Sequence, residues 1–180
     1  NLLYDMLCLV LPWDHVDEEI CAQPLEWSGR TLGRFMRFFG PISSVFDIAT
    51  FGYLFFVLCP SVCGGSFEAL AGSGEQLRFI TLFQTGWFLE SMWTQVLILH
   101  LLRTQRVPLL QSKPSRPVMA GTLLGILLFT VLTFTPVGQL IGLTALPLSY
   151  FGFLVGIVLL YLLVVTWAKS WYRKKYHGLR

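Results

Sequence analysis

Asn1 and Asp5 stand four residues apart at the head of an apolar run. On a helix that spacing puts both side chains on one face, a single turn from each other. An amide oxygen and a carboxylate oxygen on one stripe suit a hard divalent cation such as Mg²⁺ or Ca²⁺, which takes oxygen ligands. Tyr4 flanks the stripe and is a candidate to line the path to it. The same Asn-x-x-x-Asp spacing is common on exposed helices, so its meaning depends on what surrounds the helix. Glu90 is a further acidic candidate, in Gln84-Thr-Gly-Trp-Phe-Leu-Glu90-Ser-Met-Trp-Thr-Gln95, and Asp47 closes the stretch Ser43-Ser44-Val-Phe-Asp47.

The surroundings are apolar. The chain has 180 residues, 54% hydrophobic and 13% charged, with mean hydropathy +0.65. A soluble domain carries about 25% charged residues. The apolar residues fall in four blocks, near 38–58, 79–102, 118–135 and 148–168. Each is close to the roughly 20 residues that a bilayer-crossing helix requires. The apolar start, Leu2 to Leu11, is about half that length and runs into Pro12 and Trp13. With Asn at position 1 and no basic stretch before the apolar one, no secretory signal can be read. The start reads as a helix entered part-way, belonging to a longer parent; the other reading is a short interfacial anchor. The expected fold class is therefore all-α, a polytopic transmembrane helix bundle with four full spans and a partial N-terminal helix over about 1–12.

Charge orients the bundle. Arg30, Arg34 and Arg37 precede the first span; Arg103, Arg106, Lys113 and Arg116 lie between the second and third; Lys169, Arg173, Lys174, Lys175 and Arg180 follow the fourth. The other two connections hold no Lys or Arg, apart from Arg78 at an edge. The positive-inside rule places the basic side, and with it the C-terminus, in the cytoplasm. Trp167, Trp171 and Tyr172 beside the basic tail fit an interfacial aromatic belt. The tail reads as an anchor to anionic headgroups and not as a nucleic-acid patch. Gly121 and Gly125 form a small-xxx-small pair suited to close helix packing.

At membrane depth an ionisable residue costs about 2.5–3.5 kcal/mol on insertion scales and becomes a functional candidate. Glu90 has two readings: a third ion ligand, or a protonated carboxyl hydrogen-bonded to a neighbouring helix. Gln84, Ser91, Thr94 and Gln95 make its span the most polar, so it should face protein or a water-filled path, with Gln95 a candidate to line it. Asp47 reads as a structural polar contact to a neighbouring helix. His100, near Arg103, reads as interfacial. Cys59 and Cys63, in Cys59-Pro-Ser-Val-Cys63, are open to two readings, a disulfide in an oxidising compartment or two free thiols. The chain has no phosphate-binding lysine loop, no dinucleotide glycine fingerprint and no supported Ser/His/Asp or Cys/His arrangement. As given, it should not hydrolyse ATP.

Together these stretches resemble the magnesium-transporting P-type ATPases. Asn1-Leu-Leu-Tyr-Asp5 with Leu11-Pro-Trp-Asp14 is similar to the family's sixth transmembrane helix and its exit. Gly33-Arg-Phe-Met36, Gly40-Pro-Ile-Ser-Ser-Val-Phe-Asp47-Ile, Phe83-Gln-Thr-Gly-Trp-Phe-Leu-Glu90, Leu102-Arg-Thr-Gln-Arg-Val-Pro108 and Leu146-Pro-Leu-Ser-Tyr-Phe151 follow in order and at matching spacing. The match departs after Asp5, where Leu7, Cys8 and Val10 occupy positions that are more polar in the family. The resemblance implies a ten-helix transporter entered in its sixth helix, with the four spans as helices seven to ten and residues 1–180 as its C-terminal transmembrane domain. It implies that Asn1 and Asp5 fall on sixth-helix ligand positions and Glu90 on the eighth-helix acidic position; Asp47 is not carried over as a ligand. It further implies Mg²⁺ as the transported ion, a plasma-membrane location, and ATP and Mg²⁺ used by cytoplasmic domains that lie upstream with helices one to five. The lipid bilayer and those missing parts are the implied partners, and the chain alone should be inactive. Two readings stand beside this one: a stand-alone four-span protein that binds or scaffolds a partner, and a small thiol-redox membrane enzyme built on Cys59 and Cys63.

Overall fold

In the computed structural model the described residues are 2–15, 29–70, 72–104 and 112–176, and apart from turns and one isolated bridge residue, Ser112, their regular structure is helical. Helix α1 (Leu2–Cys8) leads through a short 3₁₀ turn, Leu11–Trp13, with Pro12 inside it, to Asp14. Helix α2 (Gly29–Tyr53) passes through a π-helical turn, Leu54–Leu58, into α3 (Cys59–Cys63). Then come α4 (Ser73–Leu102), α5 (Arg116–Leu132), the short α6 (Pro136–Leu140) and α7 (Leu148–Tyr176).

Among the described residues, two helical stretches combine the length and the apolar composition needed to cross a membrane, Gly33–Cys63 and Leu148–Tyr172. Helix α5 is apolar but has 17 residues. Helix α4 has 30 residues and is not among the two, since Gln84, Glu90, Ser91 and Gln95 interrupt its apolar sequence. The first long helix also begins before its apolar block, at Gly29, so Pro41 sits inside α2 and not at its entrance. Its missing N–H costs one backbone bond without ending the helix.

The packing reads as a membrane protein's. On α5, Val118, Gly121, Thr122, Gly125 and Phe129 recur at helical spacing and are buried, whereas Leu123, Leu124, Leu127 and Leu128 point outward and are exposed. Small and polar residues thus face protein and leucines face out, the arrangement expected where lipid is the solvent. Helix α4 is central: it contacts α1, α2, α5 and α7. The larger core cluster includes Leu54, Leu58, Phe79, Leu89, Phe129, Tyr150 and Leu154; a smaller one joins Phe46, Leu101, Tyr161 and Val165. Near the smaller cluster, Phe38 stacks on Trp171 at 5.3 Å and Phe39 meets Tyr172 at 5.8 Å, so the start of α2 and the end of α7 lie together.

Cys59 and Cys63 are both free thiols. One helical turn apart, they share a face; Cys59 is buried, and its Sγ points at the Phe79 carbonyl, 3.8 Å away. Of the two readings of this pair, the structure takes the free one.

Candidate functional site

Glu90 lies a little over three turns before the end of α4, where the helix is packed on several sides. Its residue is 2% exposed, and its Oε2 has no hydrogen-bond partner. A carboxyl in that setting is costly unless it is protonated or meets a cation or donor not present in this chain. Glu90 lies within electrostatic reach of Asp47 on α2 and of Tyr150 and Tyr161 on α7. Asp47 is half-buried on α2. The helices that carry these side chains, α2, α4 and α7, pack on one another.

The backbone that presents Glu90 is held from both sides. One turn earlier, Gly86 packs so closely on the π-turn that a Cβ there would stand 2.6 Å from Leu54 Cδ2. The buried Tyr150 hydroxyl donates to the Gly86 carbonyl at 2.5 Å. Beside it, Thr85 Oγ1 accepts from the Thr144 backbone N–H at 3.0 Å, tying α4 to the segment before α7. A π-turn is a local insertion in a helix and recurs at functional positions; here it presents Leu54 to Gly86.

Another face of α4 is open and carries polar groups among apolar ones. Gln84, Ser91 and Gln95, at helical spacing, line a groove of about 440 Å³ together with Trp87, Ile141 and Leu143. Gln95 Nε2 donates to Ser91 Oγ at 3.4 Å, within its own helix.

Asp5 and Tyr4 sit on α1, which contacts both α4 and α5. Tyr4 is half-buried against the larger core cluster, and Asp5 is exposed. Asn1 lies outside the described residues. Among the described residues no hydrogen bond or ion pair joins Asp5 to Glu90, and no three His, Cys, Asp or Glu side chains converge as a metal-binding group. The structure thus places Glu90 and Asp47 on helices that pack together and leaves Asp5 on an open surface of the neighbouring helix.

Sequence reasoning missed a polar cluster where α1 and α4 end and α5 begins, beside the last part of α7. Asp14 Oδ2 accepts from Arg103 Nη1 at 2.5 Å, and Asp14 Oδ1 accepts from the Ser115 backbone N–H at 2.8 Å. Burial raises the Asp14 carboxyl pKa, but the Ser115 N–H and the Arg103 guanidinium outweigh it, so the group is held below the ordinary carboxylate value. Lys169 Nζ, on α7, donates to the Leu101 carbonyl at 2.5 Å and to the Thr104 carbonyl, both at the end of α4. His100, expected at the interface, is instead 4% exposed and meets Thr122 Oγ1 at 2.7 Å. No local signal in the sequence marks these pairings.

Comparison with known proteins assigns the chain to a family. Residues 1–171 match the family described as cation transporting ATPase, C-terminus. The chain belongs to this family. Its relatives include the Magnesium-transporting ATPase, P-type 1 of Salmonella typhimurium strain LT2, 40% identical over 176 residues, and that of Escherichia coli strain K12, 41% identical over 176 residues. Each match covers 98% of this chain and 18% of the relative. The chain thus spans less than a fifth of the length of the curated relatives it matches.

Proposed function

We propose that this domain is the C-terminal transmembrane part of a P-type ATPase that transports Mg²⁺ across the plasma membrane. Its four apolar helical regions then serve as transmembrane helices seven to ten, with the C-terminus in the cytoplasm, and α1 as the end of helix six. Asn1, Asp5 and Glu90 contribute oxygen ligands to the intramembrane ion site, and Tyr4 and Gln95 line the approach. ATP is used by cytoplasmic domains upstream.

The observation that carries this reading is the match over almost the whole chain to relatives named as magnesium-transporting ATPases. The chemistry agrees with it. Mg²⁺ gives up water reluctantly and is commonly held by one or two carboxylates plus waters. An exposed Asp5 suits a ligand that meets a partly hydrated ion, and a buried Glu90 with an unpartnered oxygen suits a ligand that other helices complete. The clustering of basic residues Arg34, Arg37, Lys169 and Lys174 where α2 begins and α7 ends supports the orientation.

The test is uptake of Mg²⁺ by cells that depend on the full-length transporter. Asp5→Asn and Glu90→Gln keep shape and remove charge. Each should lower uptake at limiting Mg²⁺ by at least about tenfold, with the protein still present in the membrane. Wild-type uptake in both variants would refute the site assignment. No Mg²⁺ uptake by the wild type would refute the transport assignment.

A further inference from the structure

We propose that the Asp14–Arg103 ion pair is a positioning link that fixes the helix bearing Asp5 against the helix bearing Glu90. The inference rests on the transport reading above, because it assigns the link a consequence for ion affinity.

Asp14 stands nine residues beyond Asp5, joined to it by α1 and the 3₁₀ turn. Its carboxylate serves two partners on two other segments. Oδ2 takes the Arg103 guanidinium, one residue past the end of α4, and Oδ1 takes the backbone N–H of Ser115, the residue that opens α5. Arg103 in turn donates through Nη2 to the Ser112 carbonyl at 2.6 Å, which draws the approach to α5 onto the same cation. Both side chains of the pair are nearly out of water, Arg103 at 5% and Asp14 at 8% exposure.

The end of α4 is itself pinned. Lys169 of α7 binds the Leu101 and Thr104 carbonyls on either side of Arg103. Asp14 is therefore tied to a fixed point and not to a free loop end. A second contact restricts α1: Val10, midway between Asp5 and Asp14, packs on Gly121 of α5 so closely that a Cβ there would meet Val10 Cγ2 at 3.0 Å. Rotation or sliding of α1 against α4 must break the Asp14 bonds or drive Val10 into α5.

Buried charges make such a link directional. Removing one partner leaves the other unpaired in a site with little water, which is more disruptive than removing both. Asp14 touches neither ion nor nucleotide. Its effect on transport must pass through the placement of Asp5.

The test uses the full-length transporter in four forms: wild type, Asp14→Asn, Arg103→Gln and the double variant. Asp14→Asn retains an oxygen for the Ser115 N–H. Mg²⁺ uptake against external Mg²⁺ gives the half-saturating concentration and the maximal rate, while cytosolic ATP and its Mg²⁺ stay constant. Each single variant should raise the half-saturating Mg²⁺ concentration by about tenfold, the scale seen when a group orienting a metal ligand is lost. The maximal rate per transporter should change little, and the double variant should recover most of the affinity. Thermal unfolding of the same four proteins in detergent supplies a readout independent of transport. Unchanged affinity in the single variants overturns the proposal, and so do purely additive losses in the double. Coupling seen in unfolding but not in affinity also overturns it, because the pair is then structural only. A wild type that imports no Mg²⁺ refutes the transport reading instead, and the proposal, resting on it, falls with it.

Discussion

Gly86→Ala places a methyl group where the structure has no space for one. The new Cβ would lie 2.6 Å from Leu54 Cδ2 and 3.1 Å from Cδ1. Leu54 is fully buried in the larger core cluster, so its side chain has no open direction in which to turn. Helix α4 cannot readily retreat either, since the Tyr150 hydroxyl holds the Gly86 carbonyl and the Thr144 N–H holds Thr85. Overpacking of this kind costs about 1–3 kcal/mol. Leu54→Ala alone should cost about 2–5 kcal/mol through the cavity it leaves. The double variant puts the added methyl into that cavity, so its cost should fall short of the sum by about 1 kcal/mol or more. The assay is a double-mutant cycle on unfolding of the full-length transporter in detergent. Because Glu90 follows one turn after Gly86, Gly86→Ala should also raise the half-saturating Mg²⁺ concentration. A Gly86→Ala protein as stable as wild type, or effects additive within about 0.5 kcal/mol, would show that the contact between the π-turn and α4 is not tight.

Thr122→Val keeps the side-chain shape but removes the partner of His100 Nε2; since His100 Nδ1 is already without one, the ring is left with two unsatisfied buried nitrogens. The expected loss is about 1–3 kcal/mol, read as a lower unfolding midpoint and largely relieved by adding His100→Leu. Lys169→Met removes two hydrogen bonds to the carbonyls that end α4 and should cost about 1.5–3 kcal/mol, checked by unfolding and by faster amide exchange at residues near Leu101. Asp14 carries a pH signature. Its folded pKa lies below the ordinary 3.8, so its contribution is full above that value and is lost as pH falls through the lower folded value. The stability gap between wild type and Asp14→Asn should hold constant from about pH 5 to 7 and narrow only at more acid pH; a gap that closes near neutrality would contradict the assignment.

The helices were legible because apolar blocks of this length have few alternatives, and so was the placement of small residues such as Gly121 inside. Their partners were not. Asp14 and Arg103 are 89 residues apart, and nothing local to either distinguishes a paired charge from a solvated one. His100 looks interfacial beside Arg103, and only the packing of α5 brings Thr122 to it. The sequence Leu54-Phe-Phe-Val-Leu58 reads as ordinary apolar helix, because a π-turn leaves no composition signal; its close contact with Gly86 appears only in the packing. Cys59 and Cys63 look like a disulfide only while their stretch is taken for a loop. Once it is a helix, the turn stacks them and Cys59 faces Phe79. The acidic candidates were legible as residues, but which of them are buried follows from helix rotation, which one sequence does not set.

Helix α4 fails a simple test of apolarity for reasons that bear on what it does. Its polar residues divide between two faces. Glu90 is buried among the packed helices, while Gln84, Ser91 and Gln95 face an open groove. A helix with polar groups on two sides is better served by protein or water than by lipid on both of them. In this chain α1, α2, α5 and α7 supply contacts for much of α4, but not for the groove face. A four-span protein complete in itself would leave that stripe of amides and hydroxyls against hydrocarbon, at a cost of several kcal/mol for each unsatisfied group. A transporter that supplies further helices, or water on an ion path, satisfies the same stripe. The two readings therefore separate by experiment. Gln84→Leu with Gln95→Leu should stabilise a stand-alone bundle in lipid, whereas in the proposed transporter the same pair should reduce Mg²⁺ uptake.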